Sequence, residues 1–216
     1  MNSTIANEIK QPPAHASLVM KILNIFISPG EVFAEVVAAP PRIATWLVPA
    51  LLVCSMAMAL VQPTAMKQQP AVPLAHWRAI VLLDVCLGVF VGTVWSAFMI
   101  WLIGRMCLKA RFSFMKAVEI TALSGTILIL SAIITCLLVT ISGNLATRPS
   151  LSLLMSSSSS HPTLFAILDA INVFHLWITG VLAVGLSKLS GVSFKECAFW
   201  VFGYWVLSRI AIILLA

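Results

Sequence analysis

Long apolar runs separated by short polar segments constrain this chain more than any other feature. Backbone groups inside a bilayer must satisfy their own hydrogen bonds, and a helix needs about 20 mostly apolar residues to cross one. The sequence therefore predicts an all-α polytopic bundle of five transmembrane helices. The predicted spans cover about residues 43–61, 79–104, 117–141, 164–186 and 194–216.

The composition supports this class. Of the 216 residues, 61% are hydrophobic and 9% are charged, whereas about a quarter of the residues in a soluble domain are charged. So few charges cannot cover the surface of a soluble globule. This excludes a soluble enzyme, a nucleic-acid-binding domain and a disordered chain. The first long run begins near Ile43, too late for a cleaved signal peptide, so we expect it to remain in the membrane.

Two polar segments precede and interrupt the spans. Residues 1–16 are polar and read as a flexible cytoplasmic tail, and residues 17–42 read as an interfacial amphipathic segment. The loop between spans 3 and 4 contains five consecutive serines, 156–160, which predicts a solvated, mobile stretch.

A helix is predicted over residues 28–37. Ser28 suits its N-cap, Pro29 suits its first turn, and Glu31 can complete a capping box. Prolines 40 and 41 end it. Its amphipathic pattern predicts a helix that lies along the cytoplasmic face. The side chains expected to reach the acyl boundary are Phe33, Val36 and Val37.

The distribution of lysine and arginine predicts the orientation. Nine of the 13 fall in the N-terminal segment and the 2–3 and 4–5 loops, and three fall in the 1–2 and 3–4 loops. Arg209 lies inside span 5. Positive residues mark the cytoplasmic side of short loops. We therefore expect a cytoplasmic N-terminus and an external C-terminus.

Several stretches together resemble the Yip1 family. They comprise Ser28-Pro29-x-x-x-Phe33 with Pro40 and Trp46-x-x-Pro49, and Leu168-Asp169-x-x-Asn172-x-Phe174-x-x-Trp177 with Gly185 and Ser193-Phe194-Lys195. The resemblance covers about residues 25–216. It implies a five-helix bundle with a cytosolic N-terminus.

The resemblance also implies a range of functions. Eukaryotic members act in vesicle traffic and associate with Rab-type GTPases. In this chain the tail before span 1 has only about 42 residues and lacks the Asp-Leu-Tyr-Gly-Pro-type motif, which argues against a GTPase partner. We therefore expect a prokaryotic-type member in a bacterial inner membrane.

Catalytic signatures are absent from the sequence. It contains no HExxH, no GxSxG and no Gly-rich phosphate loop. Its five cysteines form no CxxC pair, and no histidines have metal-ligand spacing. We expect no enzyme, no metal and no cofactor. The leading hypothesis is a non-enzymatic scaffold or adaptor that organises lipids or membrane partners. Its expected partners are the bilayer and either another protein or a second copy.

Three charged residues are predicted at a similar depth under the outer face. Asp84 and Asp169 each lie five residues into their span, about 8 Å along a helix, and Arg209 lies about 10 Å from the end of span 5. In one interpretation Arg209 pairs with Asp84 or Asp169, forming a polar site that a small transporter or channel component would use. In the other, each aspartate stabilises its helix N-terminus and Arg209 snorkels to the headgroups.

Two further patterns accompany these charges. Asn172 shares a helix face with Asp169 at the i, i+3 spacing. His175 lies near mid-span, where it relays protons or hydrogen-bonds a neighbouring helix in one interpretation and is a packing residue in the other. In span 2, Gly88, Gly92 and Ser96 repeat every four residues. Such a stripe permits close helix packing, either within the bundle or at a homodimer interface.

Spans 2–3 and 4–5 show a faint internal similarity. Leu-Asp opens each pair at residues 83–84 and 168–169, and Ser-Phe begins each second helix at residues 113–114 and 193–194. Either a duplication or a chance match accounts for this pattern.

Overall fold

The computed structural model describes residues 17–66, 74–143, 147–155 and 162–215. The predicted tail at 1–16 and the serine run at 156–160 lie outside these residues. Every regular element described is helical, which confirms the all-α prediction. The helices are α1 Leu18–Asn24, α2 Pro29–Ala38, α3 Ile43–Met66, α4 Leu74–Met106, α5 Phe114–Gly125, α6 Ile127–Ser142, a 3-10 turn Leu151–Leu154, α7 Pro162–Ala170, α8 Val173–Ser190 and α9 Phe194–Leu215.

Four described helical stretches are long and apolar enough to cross a membrane: Ala79–Met106, Phe114–Ser142, Val173–Ser190 and Phe194–Leu214. The second of these joins α5 and α6 across Thr126. Within α3 the apolar stretch Ile43–Ala59 is shorter. The chain is therefore a multi-pass membrane protein, while a fifth crossing by α3 stays a prediction.

The bundle core lies where α2, α5 and α8 meet. Phe33 of α2 is fully buried against a cluster that includes Ile120 and Leu123 of α5 and Val181 of α8. Gly185 allows this packing, because a Cβ at that position would collide with Ile120 and press on the Phe33 ring. A second cluster joins α4, α5, α8 and α9.

Helix α2 forms close to the predicted range, but its surroundings differ from the expectation. Val32, Phe33 and Val36 are buried inside the protein, so the prediction that Phe33 and Val36 reach the acyl boundary is wrong. The apolar face is covered by α5 and α8 instead of lipid. Ser28 occupies the N-cap position but makes no side-chain capping hydrogen bond, so the expected capping box does not form.

Span 4 is broken, which corrects the continuous helix predicted over 164–186. The chain is extended at Asn172, whose side chain caps α8 by accepting hydrogen bonds from the backbone N–H of Phe174 (2.9 Å) and His175 (3.4 Å). The break is held from outside the span. Leu151 N–H donates to the carbonyl of Ile171 at 3.2 Å. Asn172 is therefore a helix cap and does not share a helix face with Asp169.

Candidate functional site

A cavity of about 530 Å³ lies where α7, the start of α8 and the end of α9 meet. We call it the polar cavity. Four of the five residues that the sequence assigned to an intramembrane network line it. The lining residues are Arg148, Thr163, Ala166, Asp169, Ala170, Asn172, His175, Arg209, Ile212 and Ile213.

Arg209 is held by an imidazole. Its Nη2 atom lies 3.1 Å from Nδ1 of His175, a hydrogen bond that joins α9 to α8. The guanidinium also stands 6.0 Å from the centre of the Trp205 ring, at the limit of a cation–π interaction. Its Nε atom is buried and has no hydrogen-bond partner. Arg209 therefore retains an unsatisfied donor at this cavity.

Asp169 is held by the loop that precedes α7. Its Oδ1 atom accepts hydrogen bonds from the hydroxyls of Ser150 (2.9 Å) and Ser152 (3.2 Å). Its Oδ2 atom lies 3.7 Å from Nη1 of Arg148. Arg148, a cation of the predicted 3–4 loop, is thus the partner of Asp169.

Of the three charges predicted to meet, Asp169 and Arg209 line the same cavity. In the described residues no salt bridge within 4.0 Å joins Arg209 to Asp84 or to Asp169. Asp84 is exposed on α4 and does not line the polar cavity. The cavity thus combines two arginines with one aspartate. Asp169 pairs directly with Arg148 and attracts Arg209 only from across the cavity, so the cavity carries one more positive than negative charge.

The small-residue stripe of α4 borders empty space. A Cβ added at Gly88 or Gly92 would meet no atom within 4 Å, so in the described chain these glycines mediate no close helix contact. Together with Ser96 they line a cavity of about 270 Å³ between α3, α4, α5, α6 and α8. We call this cavity the small-residue groove.

A buried ion pair lies at the start of α5. Nζ of Lys116 is 2.7 Å from Oε2 of Glu119, and both side chains are buried. Lys116 also donates to the carbonyl of Val36 at 2.5 Å, and Glu119 Oε1 accepts from the backbone N–H of Arg42 at 2.7 Å. The pair therefore fastens the end of α2 and the entry to α3 onto α5.

The ion pair and the polar cavity lie at opposite ends of the bundle. Ala117, near the start of α5, packs in one cluster with Leu186, near the end of α8. The start of α5 therefore lies beside the end of α8, whereas the polar cavity lies at the start of α8.

Sequence reasoning missed the Lys116–Glu119 pair, although a signal was present. Glu119 stands just inside a strongly apolar run, where an ionised group is costly and usually paired. Lys116 precedes it by three residues, the spacing at which helical side chains meet. Lys116 falls in the predicted 2–3 loop, whereas Glu119 falls inside predicted span 3.

Comparison with known proteins identifies the family. A search of curated proteins and a search of solved structures each returned no match. The sequence model of the Yip1 domain matches residues 23–216, nearly the whole chain. The match includes the pieces on which the resemblance was based and every helix that forms the polar cavity and the ion pair. The chain therefore belongs to the Yip1 domain family.

Proposed function

We propose that this chain is a non-enzymatic membrane protein that organises lipids or membrane partners by binding an anionic group in its polar cavity. The observation that carries the proposal is the state of Arg209. Its charge is not matched by a carboxylate within 4.0 Å, and its buried Nε lacks a partner. A partly buried cation with a free donor is stabilised by an anion that accepts hydrogen bonds, such as a phosphate oxygen.

The neighbouring groups favour the same ligand chemistry. His175 fixes one side of the guanidinium, and Arg148 at the rim of the cavity offsets the negative charge of Asp169. Thr163 contributes a hydroxyl to the lining. A phosphate can accept hydrogen bonds from several such donors at once.

Anion binding predicts a stabilisation by inorganic phosphate. At a phosphate concentration ten times Kd, the free energy of unfolding should rise by about 1.4 kcal/mol. Thermal melting of the detergent-purified protein at constant ionic strength would measure this as an increase in Tm. The Arg209→Gln variant should lose the increase. The matched control Arg111→Gln, at an exposed cation outside the cavity, should keep it, and an equal increase in both variants would contradict the proposal.

A small transporter or channel component is the second candidate. The observation in its favour is the 530 Å³ cavity that reaches Asp169, His175 and Arg209, since a transporter needs a solvent-accessible site. Reconstituted vesicles separate the two candidates. A scaffold should bind the anion without moving it across the bilayer, whereas a transporter should release trapped radiolabelled phosphate at a rate that depends on Arg209.

We further propose that α3 is the fifth crossing, with the N-terminus cytoplasmic and the C-terminus periplasmic in a bacterial inner membrane. The support is the nine-to-three distribution of positive residues and the 24-residue length of α3. A reporter fused after Ala216 should be active in its periplasmic form and inactive in its cytoplasmic form. The reverse pattern would contradict the five-span arrangement.

A further inference from the structure

We propose that the anionic group is the phosphate of a membrane phospholipid, with its headgroup at Arg209 and one acyl chain in the small-residue groove. This inference rests on the proposed function, since it assumes that the polar cavity binds an anion. The ligand class is thereby a phospholipid, and the small-residue groove has a role in binding it.

The polar cavity is continuous with two further cavities inside the bundle. A middle cavity of about 270 Å³ shares His175 and Arg209 with the polar cavity. It also shares Ser96 and Ile178 with the small-residue groove. The three cavities therefore follow one another from the ends of α7 and α9 into the bundle.

The residues that line these cavities change from polar to apolar along this path. The polar cavity is lined by two arginines, a histidine, an asparagine and one aspartate, and that aspartate pairs with Arg148. The small-residue groove is instead lined mostly by aliphatic side chains and glycines from α3, α4, α5, α6 and α8. From Gly88 to Ser96 it follows α4 for about 12 Å. A cationic end that continues into an apolar groove matches an anionic amphiphile, whereas a free anion would use only the first part.

Two further hydrogen-bond donors along this path have no partner in the described residues. A threonine inside a helix commonly donates to the carbonyl four residues earlier, as Thr135, Thr140 and Thr179 do. Thr121 lines the small-residue groove with 6% of its surface exposed, yet its hydroxyl has no partner. In the middle cavity the buried Nε1 of Trp205 also lacks one.

The unpaired Nε1 of Trp205, beside Arg209 in the middle cavity, indicates a ligand that carries acceptors beyond its charged group, whereas the unpaired hydroxyl of Thr121 shows that no described protein atom closes the groove there. Buried polar groups are rarely left unpaired, because each costs about 1–3 kcal/mol. A phospholipid presents phosphate oxygens at one level and ester carbonyls next to them. A phosphate oxygen accepts a hydrogen bond from the free Nε of Arg209, and an ester carbonyl accepts one from Nε1 of Trp205 in the middle cavity.

The decisive test fills the groove and leaves the cationic end unchanged. The double variant Gly88→Leu, Gly92→Leu places side chains where no atom stands within 4 Å, and leucine favours the helix over glycine. Gly203→Leu is the matched control, because Gly203 is an exposed glycine of α9 with the same open surroundings. Circular dichroism and gel filtration would check that each variant folds.

Native mass spectrometry with added phosphatidic acid measures the outcome. The wild type and Gly203→Leu should retain one phosphatidic acid, and the double variant should retain at least tenfold less. Diacylglycerol, which lacks the phosphate, should not be retained by any of them. The thermal shift with inorganic phosphate should persist in the double variant. Equal retention of phosphatidic acid in all three proteins would overturn the acyl-chain site while leaving anion binding intact.

A wild-type experiment keeps the proposal testable if the double variant fails to fold. Alkyl phosphates of increasing chain length should bind more tightly with each methylene, by at most about fourfold per group. An affinity equal to that of inorganic phosphate at every chain length would reject the lipid. Absence of binding by inorganic phosphate and by every amphiphile would reject the proposed function as well.

Discussion

Replacing Lys116 with methionine is expected to lower the free energy of unfolding by about 3–5 kcal/mol, because it leaves a buried carboxylate without its charge partner. Glu119 has 1% of its surface exposed, and the Lys116 ammonium is its only cation within 4.0 Å in the described residues. The substitution also removes the hydrogen bond that Lys116 donates to the carbonyl of Val36. Unfolding in mixed detergent micelles, followed by circular dichroism, would measure the loss.

A double-mutant cycle separates charge from packing. Adding Glu119→Gln to Lys116→Met removes the stranded charge, while an amide oxygen can still accept from the backbone N–H of Arg42. The double variant should therefore be more stable than Lys116→Met alone. Lys195→Met, at an exposed lysine in the first turn of α9, is the control and should change stability by less than about 0.5 kcal/mol. A cost for Lys116→Met no larger than the control would show that the ion pair does not hold the bundle.

The ion pair also illustrates which parts of a site a sequence reveals. The spacing of Lys116 and Glu119 is local and can be read directly from the chain. Their burial is not local, because it depends on Val36 and Arg42, which lie 80 and 77 residues away from their hydrogen-bond partners. Without those contacts the same two residues would be an ordinary exposed helical pair.

Membrane-spanning runs were predictable for the opposite reason. The length and polarity of a run decide whether it suits a bilayer, and both are properties of consecutive residues. The break at Asn172 depends on tertiary contacts, since Leu151 and Pro149 hydrogen-bond the backbone on either side of it. A continuous apolar pattern crosses this point, so the sequence predicted an unbroken helix and a shared face for Asp169 and Asn172.

The polar cavity was partly predictable. An ionisable residue in an apolar run is a candidate for function in its own right, and this criterion selects Asp169, His175 and Arg209, which all line the polar cavity. Their partners depend on how the helices are arranged. Arg148 forms an ion pair with Asp169, His175 forms a hydrogen bond with Arg209, and Asp84 is exposed on α4. Equal depth along separate helices is therefore insufficient to predict which charges meet.

Helix α2 is the clearest case in which a correct local pattern led to an incorrect environment. Its alternation of apolar and acidic residues establishes that one face must be covered, but it does not establish whether lipid or protein covers it. In the structure Phe33 has 0% of its surface exposed and packs against α5 and α8. The helix thereby becomes a part of the bundle, fastened at its end by the Lys116–Glu119 pair.

Phe33→Ala is therefore expected to lower the free energy of unfolding by about 3–5 kcal/mol, the usual cost of deleting a buried phenylalanine ring. The ring fills the space that Gly185 leaves open beside Ile120, and these backbones cannot close the gap without moving whole helices. Phe199→Ala is the matched control, because Phe199 is 71% exposed on α9 and should change stability by less than about 0.5 kcal/mol. Unfolding in mixed micelles measures both variants. If Phe33→Ala were no more costly than Phe199→Ala, the apolar face of α2 would have to lie against lipid, as the sequence pattern alone suggests. A large difference between them would mean that α2 belongs to the bundle core and that its position is set by α5 and α8.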